Sequence, residues 1–336
     1  VDIGLEAALF QGKLSFTADV YNRKSINMLL NDVIPAITGF NNQLVNKGNV
    51  RNRGIELAID VTPVSRALTW DVNFNVAFNR NKILATNENN DRILSGNMDN
   101  RPTNVSIVGK PIGQFFGFVL EGVYSQADID NPNVPKYAGA TAGYPKYKDL
   151  NGDGVINEML DYKDLGSPHP NFIFGLSNRL TYKNFDLSVN LNGQYGGYIM
   201  NGMRQTTDNL QGFFNIGKEW VNRWRSAENP GDGIHAFGPN SVHRVNDKLW
   251  LEDASYLRIT NLTFGYNIPA DLFGKKNYYR SLRVFMTVQN LATFTKYTGA
   301  NPEGQATNMD NTLVPGYDMG SYPIPRTITA GLNIQF

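Results

Sequence analysis

Thr327-Ile328-Thr329-Ala330-Gly331-Leu332-Asn333-Ile334-Gln335-Phe336 closes the chain. Apolar side chains fall at 328, 330, 332, 334 and 336, with polar residues or glycine between them. Strict period-two alternation describes a strand with one greasy face and one wet face. Its length suits a strand tilted across a bilayer, which takes about 9–11 residues.

The same pattern recurs upstream. Ile3, Leu5, Ala7 and Leu9 alternate, then Leu14, Phe16, Ala18 and Val20, then Ile55, Leu57, Ile59 and Val61. Val72, Phe74, Val76 and Phe78 follow, interleaved with Asp71, Asn73, Asn75 and Asn79. Phe172, Phe174, Leu176 and Leu180 lead into Leu187, Val189, Leu191 and Tyr195. Leu262, Phe264, Tyr266 and Ile268 precede Leu282, Val284, Met286 and Val288. With the terminal segment this makes about nine strands. Short connections at 11–13, 62–69 and 183–185 and a medium one at 269–280 alternate with long ones at 23–53, 80–170, 197–255 and 295–325. Tight turns on one side and long loops on the other predict an all-β, transmembrane antiparallel barrel with long extracellular loops. The competing reading is a soluble or surface-exposed β-domain that binds glycans through loop aromatics. Its strands would alternate too, but its connections would mostly stay short.

Composition agrees with a barrel. The 336 residues are 41% hydrophobic and 18% charged, yet no apolar run approaches the ~18 residues of a spanning helix. Alternating strands average to ordinary hydropathy, here a mean of -0.35. The net charge of +1 gives no basic face for nucleic acid. Cys 0 excludes disulfides and thiolate chemistry. Nine strands alone would leave two open edges in lipid, with backbone groups unpaired, so the remaining strands are expected upstream.

Several segments, in order along nearly the whole chain, now carry a resemblance. They are Asn46-Lys47-Gly48-Asn49-Val50-Arg51-Asn52-Arg53-Gly54-Ile55-Glu56, Asp149-Leu150-Asn151-Gly152-Asp153-Gly154-Val155-Ile156-Asn157, Gly166-Ser167-Pro168-His169-Pro170-Asn171-Phe172, and Asn222-Arg223-Trp224 with Glu228-Asn229-Pro230-Gly231. Glu252-Asp253-Ala254-Ser255-Tyr256-Leu257-Arg258-Ile259, Val288-Gln289-Asn290-Leu291 and Pro323-Ile324-Pro325-Arg326-Thr327 complete the set. The chain resembles the SusC/RagA-type TonB-dependent outer-membrane transporters of Bacteroidota. The resemblance implies that residues 1–336 are the C-terminal part of a barrel of about 22 strands, multi-pass in the outer membrane of a Gram-negative bacterium. It places the plug domain, and the segment that meets TonB, outside this chain. It implies TonB-dependent import of oligosaccharides or peptides together with a SusD-like surface lipoprotein, and no enzymatic activity. It also makes Phe336 the membrane-insertion signal.

Three groups of residues stand out as candidate sites. Asp149, Asn151, Asp153, Val155 and Asn157 match the opening ligands of an EF-hand calcium loop, with Gly154 at the sharp turn. Leu160 stands where the bidentate Glu belongs, so Ca2+ binding would be weak, and a metal-free turn rich in Asp, Asn and Gly is the other reading. Trp220, Trp224 and Trp250 fall in one long loop and form either a substrate or partner surface or the packing of that loop. Tyr21, Tyr182, Tyr195, Tyr198, Tyr266, Tyr297 and Trp70 lie near strand ends, where interfacial aromatic belts form. His169, His235 and His243 fit no usual zinc spacing, and no catalytic pairing of nucleophile and base is discernible.

Overall fold

The computed structural model describes residues 1–33, 37, 39, 42–87, 89–98, 101–158, 160–208, 215–234, 246–269, 279–304 and 313–335. Phe336, His235 and His243 lie outside them.

The chain runs through β1 (Asp2–Leu9), β2 (Leu14–Val33), β3 (Asn42–Ser65) and β4 (Leu68–Ala85). The short strands β5 (Ile93–Ser95), β6 (Asn104–Ser106), β7 (Gln114–Phe118) and β8 (Leu120–Val123) follow, then α1 (Gln126–Asp130), β9 (Pro145–Tyr147) and β10 (Tyr162–Gly166). Next come β11 (Phe172–Tyr182), β12 (Phe185–Tyr195), β13 (Tyr198–Asn201), α2 (Gly202–Thr207) and a 3-10 turn at Lys218–Asn222. The chain ends with β14 (Leu251–Asp253), β15 (Tyr256–Ile268), β16 (Ser281–Thr295), β17 (Tyr317–Asp318) and β18 (Thr327–Gln335). No described helix is long and apolar enough to cross a membrane, which has no bearing on strands that do.

Nine strands form one sheet in the order β1-β2-β3-β4-β11-β12-β15-β16-β18, every neighbouring pair antiparallel. These are the nine alternating segments, in chain order. Register aligns their faces. Ile3, Val20, Ile55 and Phe78 form one cross-strand row, and Ala7, Phe16, Ile59, Phe74, Leu176 and Leu191 another. Val284 pairs with Tyr266 and Leu332, and Val288 with Leu262 and Ile328. This face is unsheltered: Ile3 and Ile328 are each 67% exposed, and Leu5, Met286 and Leu332 are exposed as well. A soluble domain rarely leaves so continuous an apolar surface open, whereas hydrocarbon solvates it. The soluble reading therefore loses its footing on this face.

The opposite face is polar. Asp19 pairs with Glu56, and Asp60 with Asn73. Ser177, Asn190, Asn261 and Gln289 continue the row of Asn73. Side chains bond across it, with Asn73 Nδ2 donating to Asp60 at 2.5 Å and Thr62 to Asp71 at 2.8 Å. Arg283 grips Asp186 with two bonds of 2.6 and 2.9 Å across the intervening Gly265. Glycine also matters where Tyr21 crosses β3. A Cβ on Gly54 would strike the Phe78 carbonyl and the Tyr21 ring, whose hydroxyl reaches Asn79 at 3.1 Å.

The expected loop at 23–53 is largely strand. β2 and β3 continue as a tall hairpin, paired from Leu14↔Val61 to Val33↔Asn42. At about 3.3 Å per residue these 20- and 24-residue strands outrun a bilayer. The other long connections carry their own small sheets: β10-β7-β6-β5, β14-β13-β17 and β8-β9. Among these, β6 and β7 do not alternate because both faces are covered. All of Gln114–Phe118 is buried, and one core gathers Val105, Phe116, Phe118, Tyr147, Ile156 and Tyr162.

Candidate functional site

The inner polar face and its loop-side rim form the candidate site. At the start of β15, Tyr256 and Arg258 both point inward. The carboxylate of Glu303 accepts from the Tyr256 hydroxyl and from Arg258 Nη1. Arg258 is almost wholly buried. It also donates to Thr293 at 3.0 Å and Asn301 at 3.2 Å, and lies 4.9 Å from the Tyr256 ring centre. Beside this cluster opens a polar cleft of about 220 Å³, lined by Gln194, Tyr198, Ala254, Pro302, Glu303 and Gly316. The cleft presents amide, hydroxyl and carboxylate groups, which can hydrogen-bond a polar solute but supply no nucleophile poised by a base.

The recurring motifs acquire physical roles here. Asp253 accepts from the Ser255 backbone and hydroxyl at 2.8 and 2.5 Å, fixing the entry to β15. Glu252 accepts from Arg204 at 2.9 Å, from the Thr298 backbone at 2.7 Å and from its hydroxyl at 2.8 Å, tying three loops together. Asn290 sits in left-handed backbone (φ 51) where β15 and β16 shift register, a conformation Asn tolerates better than most residues. Its amide donates to the Pro325 carbonyl at 3.0 Å, anchoring the last loop to β16. His169 is held by the Ile112 carbonyl at 2.8 Å, and burial pushes its pKa down.

The tryptophans separate. Trp220 and Trp250 are 1% and 0% exposed and stack at 6.3 Å in a core with Phe115, Met200 and Tyr317. Trp224 lies beyond the 3-10 turn, half-buried over Gly143. Of the three, only Trp224 offers surface. Trp70, Tyr182 and Tyr195 are exposed as an aromatic belt requires, Tyr266 is half-buried, and Tyr198, though exposed, lines the polar cleft instead. Tyr21 and Tyr297 are not exposed. Tyr21 turns inward, and Tyr297 is buried with its hydroxyl on Asp318 at 2.5 Å.

The Asp149 loop closes on itself. Asp149 accepts from the backbone of Gly152 at 2.7 Å and of Gly154 at 2.9 Å. Asp153 accepts from Val155, and Asn151 from Asp153. Asp161 is turned to Leu150 and Asn157, each at 2.7 Å. No group of three His, Cys, Asp or Glu positioned to hold a metal occurs among the described residues.

The sequence singled out none of Tyr256, Arg258 and Glu303 as a cluster. Glu303 lies 45 residues beyond Arg258, and only tertiary structure joins them.

Comparison with known proteins follows the same architecture. Residues 1–291 match the family model for the TonB dependent receptor-like beta-barrel. The chain is similar to TonB-dependent receptor P3 of Formosa agariphila, with 33% identity over all of this chain and 34% of that protein. It is also similar to TonB-dependent receptor SusC of Bacteroides thetaiotaomicron, with 27% identity over 99% of this chain and 31% of that one. The RagAB peptide transporter shares the fold with a TM-score of 0.80 at 24% identity, covering 100% of this chain and 34% of that one. The chain thus spans about a third of the length of the relatives it matches.

Proposed function

Because this chain belongs to the TonB-dependent receptor-like β-barrel family, in its SusC/RagA branch, and so to the outer membrane of a Gram-negative bacterium, we propose that the complete protein is a nutrient importer. Its cargo would be an oligosaccharide or peptide. TonB would supply energy through the N-terminal part, and a SusD-like lipoprotein would cover the loop-side mouth. The observation that carries this reading is the polar row from β2 to β18, Ser15, Asp60, Asn73, Ser177, Asn190, Asn261, Gln289 and Thr327, opposite an exposed apolar face suited to lipid.

Amides and hydroxyls dominate that row, which suits a hydrated neutral or peptidic cargo better than an apolar one. The cleft at Glu303, Tyr198 and Gln194 is the proposed place of first contact on this part of the wall. Bacteria expressing the complete protein should take up a labelled oligosaccharide or peptide mixture. Deleting the upstream plug or its energy-coupling segment should abolish uptake. Undiminished accumulation after that deletion would sink the proposal.

Calcium at Asp149, Asn151, Asp153, Val155 and Asn157 is a subsidiary proposal. The Asp149–Gly154 bond shapes the loop as such sites require, and the lost twelfth ligand sets affinity near the millimolar range, about 10⁻⁴–10⁻³ M. Protection of this loop from proteolysis by millimolar calcium, lost in Asp149→Asn, would support it. Equal cleavage with calcium and with a chelator would remove it.

A further inference from the structure

The outward face carries an unexpected charge pattern directly above its apolar band. Above the row Ile3-Val20-Ile55-Phe78, the next outward row is Asn22-Arg53-Arg80, and the one above that is Lys24-Arg51-Lys82. Five cations therefore face outward from three adjacent strands, with like charges directly opposite one another: Arg53 against Arg80, and Arg51 against Lys24 on one side and Lys82 on the other. Like charges so placed destabilise a sheet. No carboxylate interrupts either row. Arg53 is exposed and has no ion pair or hydrogen bond among the described residues, and Arg51 Nε is buried without a partner. Among the described residues Arg80 is held by neutral groups: the carbonyls of Asn79 at 3.0 Å, Pro170 at 3.4 Å and Asn171 at 2.9 Å, and the Asn171 side-chain oxygen at 3.2 Å.

A groove of about 410 Å³ runs between the rows. Val20, Ile55 and Phe78 line its lower part, and Asn22, Arg53 and Arg80 its upper part. Its level is marked independently. Phe78, Phe172 and Tyr195 form a chain of ring contacts at 5.5 Å each along this height, as an interfacial aromatic belt does. An apolar floor continuous with the lipid-facing surface, under two guanidiniums lacking a counter-charge, matches one kind of molecule: an amphiphile with acyl chains below and phosphate above.

We propose that Arg53 and Arg80, backed by Lys24, Arg51 and Lys82, bind the phosphate of an outer-leaflet lipid whose acyl chain lies on Val20, Ile55 and Phe78. This rests on the membrane-barrel reading. Planar guanidiniums suit phosphate oxygens, and anionic headgroups offset the repulsion between the rows. An acidic protein partner would satisfy the charges but not the apolar half of the groove.

The test uses the complete protein, extracted with its surrounding lipid into native nanodiscs and analysed by native mass spectrometry. Gel mobility before and after heating checks the barrel separately. The wild type should retain a phosphorylated lipid through delipidation, and an Arg53→Glu/Arg80→Glu variant should lose it by at least about tenfold. Should that variant fail to fold, Arg53→Gln, an exposed change that breaks no described bond, should still reduce occupancy. Lipid stripped of phosphate should not rebind. Equal retention in variant and wild type, equal rebinding of dephosphorylated lipid, or displacement by millimolar inorganic phosphate alone would each overturn the assignment. So would loss of a copurifying protein with lipid occupancy unchanged.

Discussion

Asp247 gives the loop region a pH dependence of defined sign. It is 1% exposed, accepts from the Leu249 backbone at 2.7 Å and from the Tyr147 hydroxyl at 3.3 Å, and faces no cation within ion-pairing distance among the described residues. Burial pushes its pKa up to about 7, against the opposing pull of those two donors. An unfolded Asp titrates near ~3.9. The folded loop therefore binds the proton more tightly, and its contribution is complete below the unfolded value. That contribution is lost as pH rises through about 7. Between pH 5 and pH 8 the unfolded carboxyl is ionised throughout while the folded one loses its proton. At about 1.4 kcal/mol per pH unit over two units, the loss is roughly 3 kcal/mol. Nearby Tyr147 and Tyr162, both pushed up by burial, add nothing in that window. The assay is hydrogen exchange of peptides spanning 114–124 and 246–250 in the complete protein, corrected for intrinsic rates. Opening should become harder by that amount on acidification. Asp247→Asn, neutral at every pH, should flatten the dependence. A wild-type loop that tightens as pH rises from 5 to 8, or a variant with an unchanged slope, would refute the reasoning.

Other substitutions probe other layers. Arg283→Ala leaves Asp186 without its bidentate partner on the inner face. It should cost about 1.5–3 kcal/mol and lower the temperature at which the folded gel band converts. Trp250→Ala empties a site buried between Trp220 and Arg204, whose guanidinium lies 5.8 Å from its ring. It should cost about 3–5 kcal/mol in loop stability, read as faster proteolysis of 197–255 with the barrel band intact. Gly54→Val would drive Cβ into the Phe78 carbonyl and Tyr21, so a reduced yield of membrane-inserted protein is expected, measured by fractionation.

The barrel strands were legible because lipid on one side and water on the other force period two on every spanning segment. Outside the bilayer that pressure ends. Residues 23–53 read as a long loop, yet 23–33 and 42–53 belong to paired strands, with Asn27 in left-handed backbone and a register shift near Met28. Gln114–Phe118 hid as a loop segment because burial on both faces erases alternation. The tryptophans were found by type, but their burial depends on Met200, Phe115 and Tyr317, distant in sequence. The rim cluster of Arg258 and Glu303 was hidden for the same reason. Its only local signal was the inward parity of Tyr256 and Arg258 within the Glu252–Ile259 string.

The central claim is that alternate residues of each strand face lipid and lumen. Since this chain contains Cys 0, single cysteines can be placed along β16 at 284 to 289 and spin-labelled in the complete protein in nanodiscs. Labels replacing Val284, Met286 and Val288 should relax with lipid-soluble oxygen, and those replacing Phe285, Thr287 and Gln289 with a water-soluble nickel reagent. Six positions that respond alike, or an alternation of opposite phase, would contradict the account.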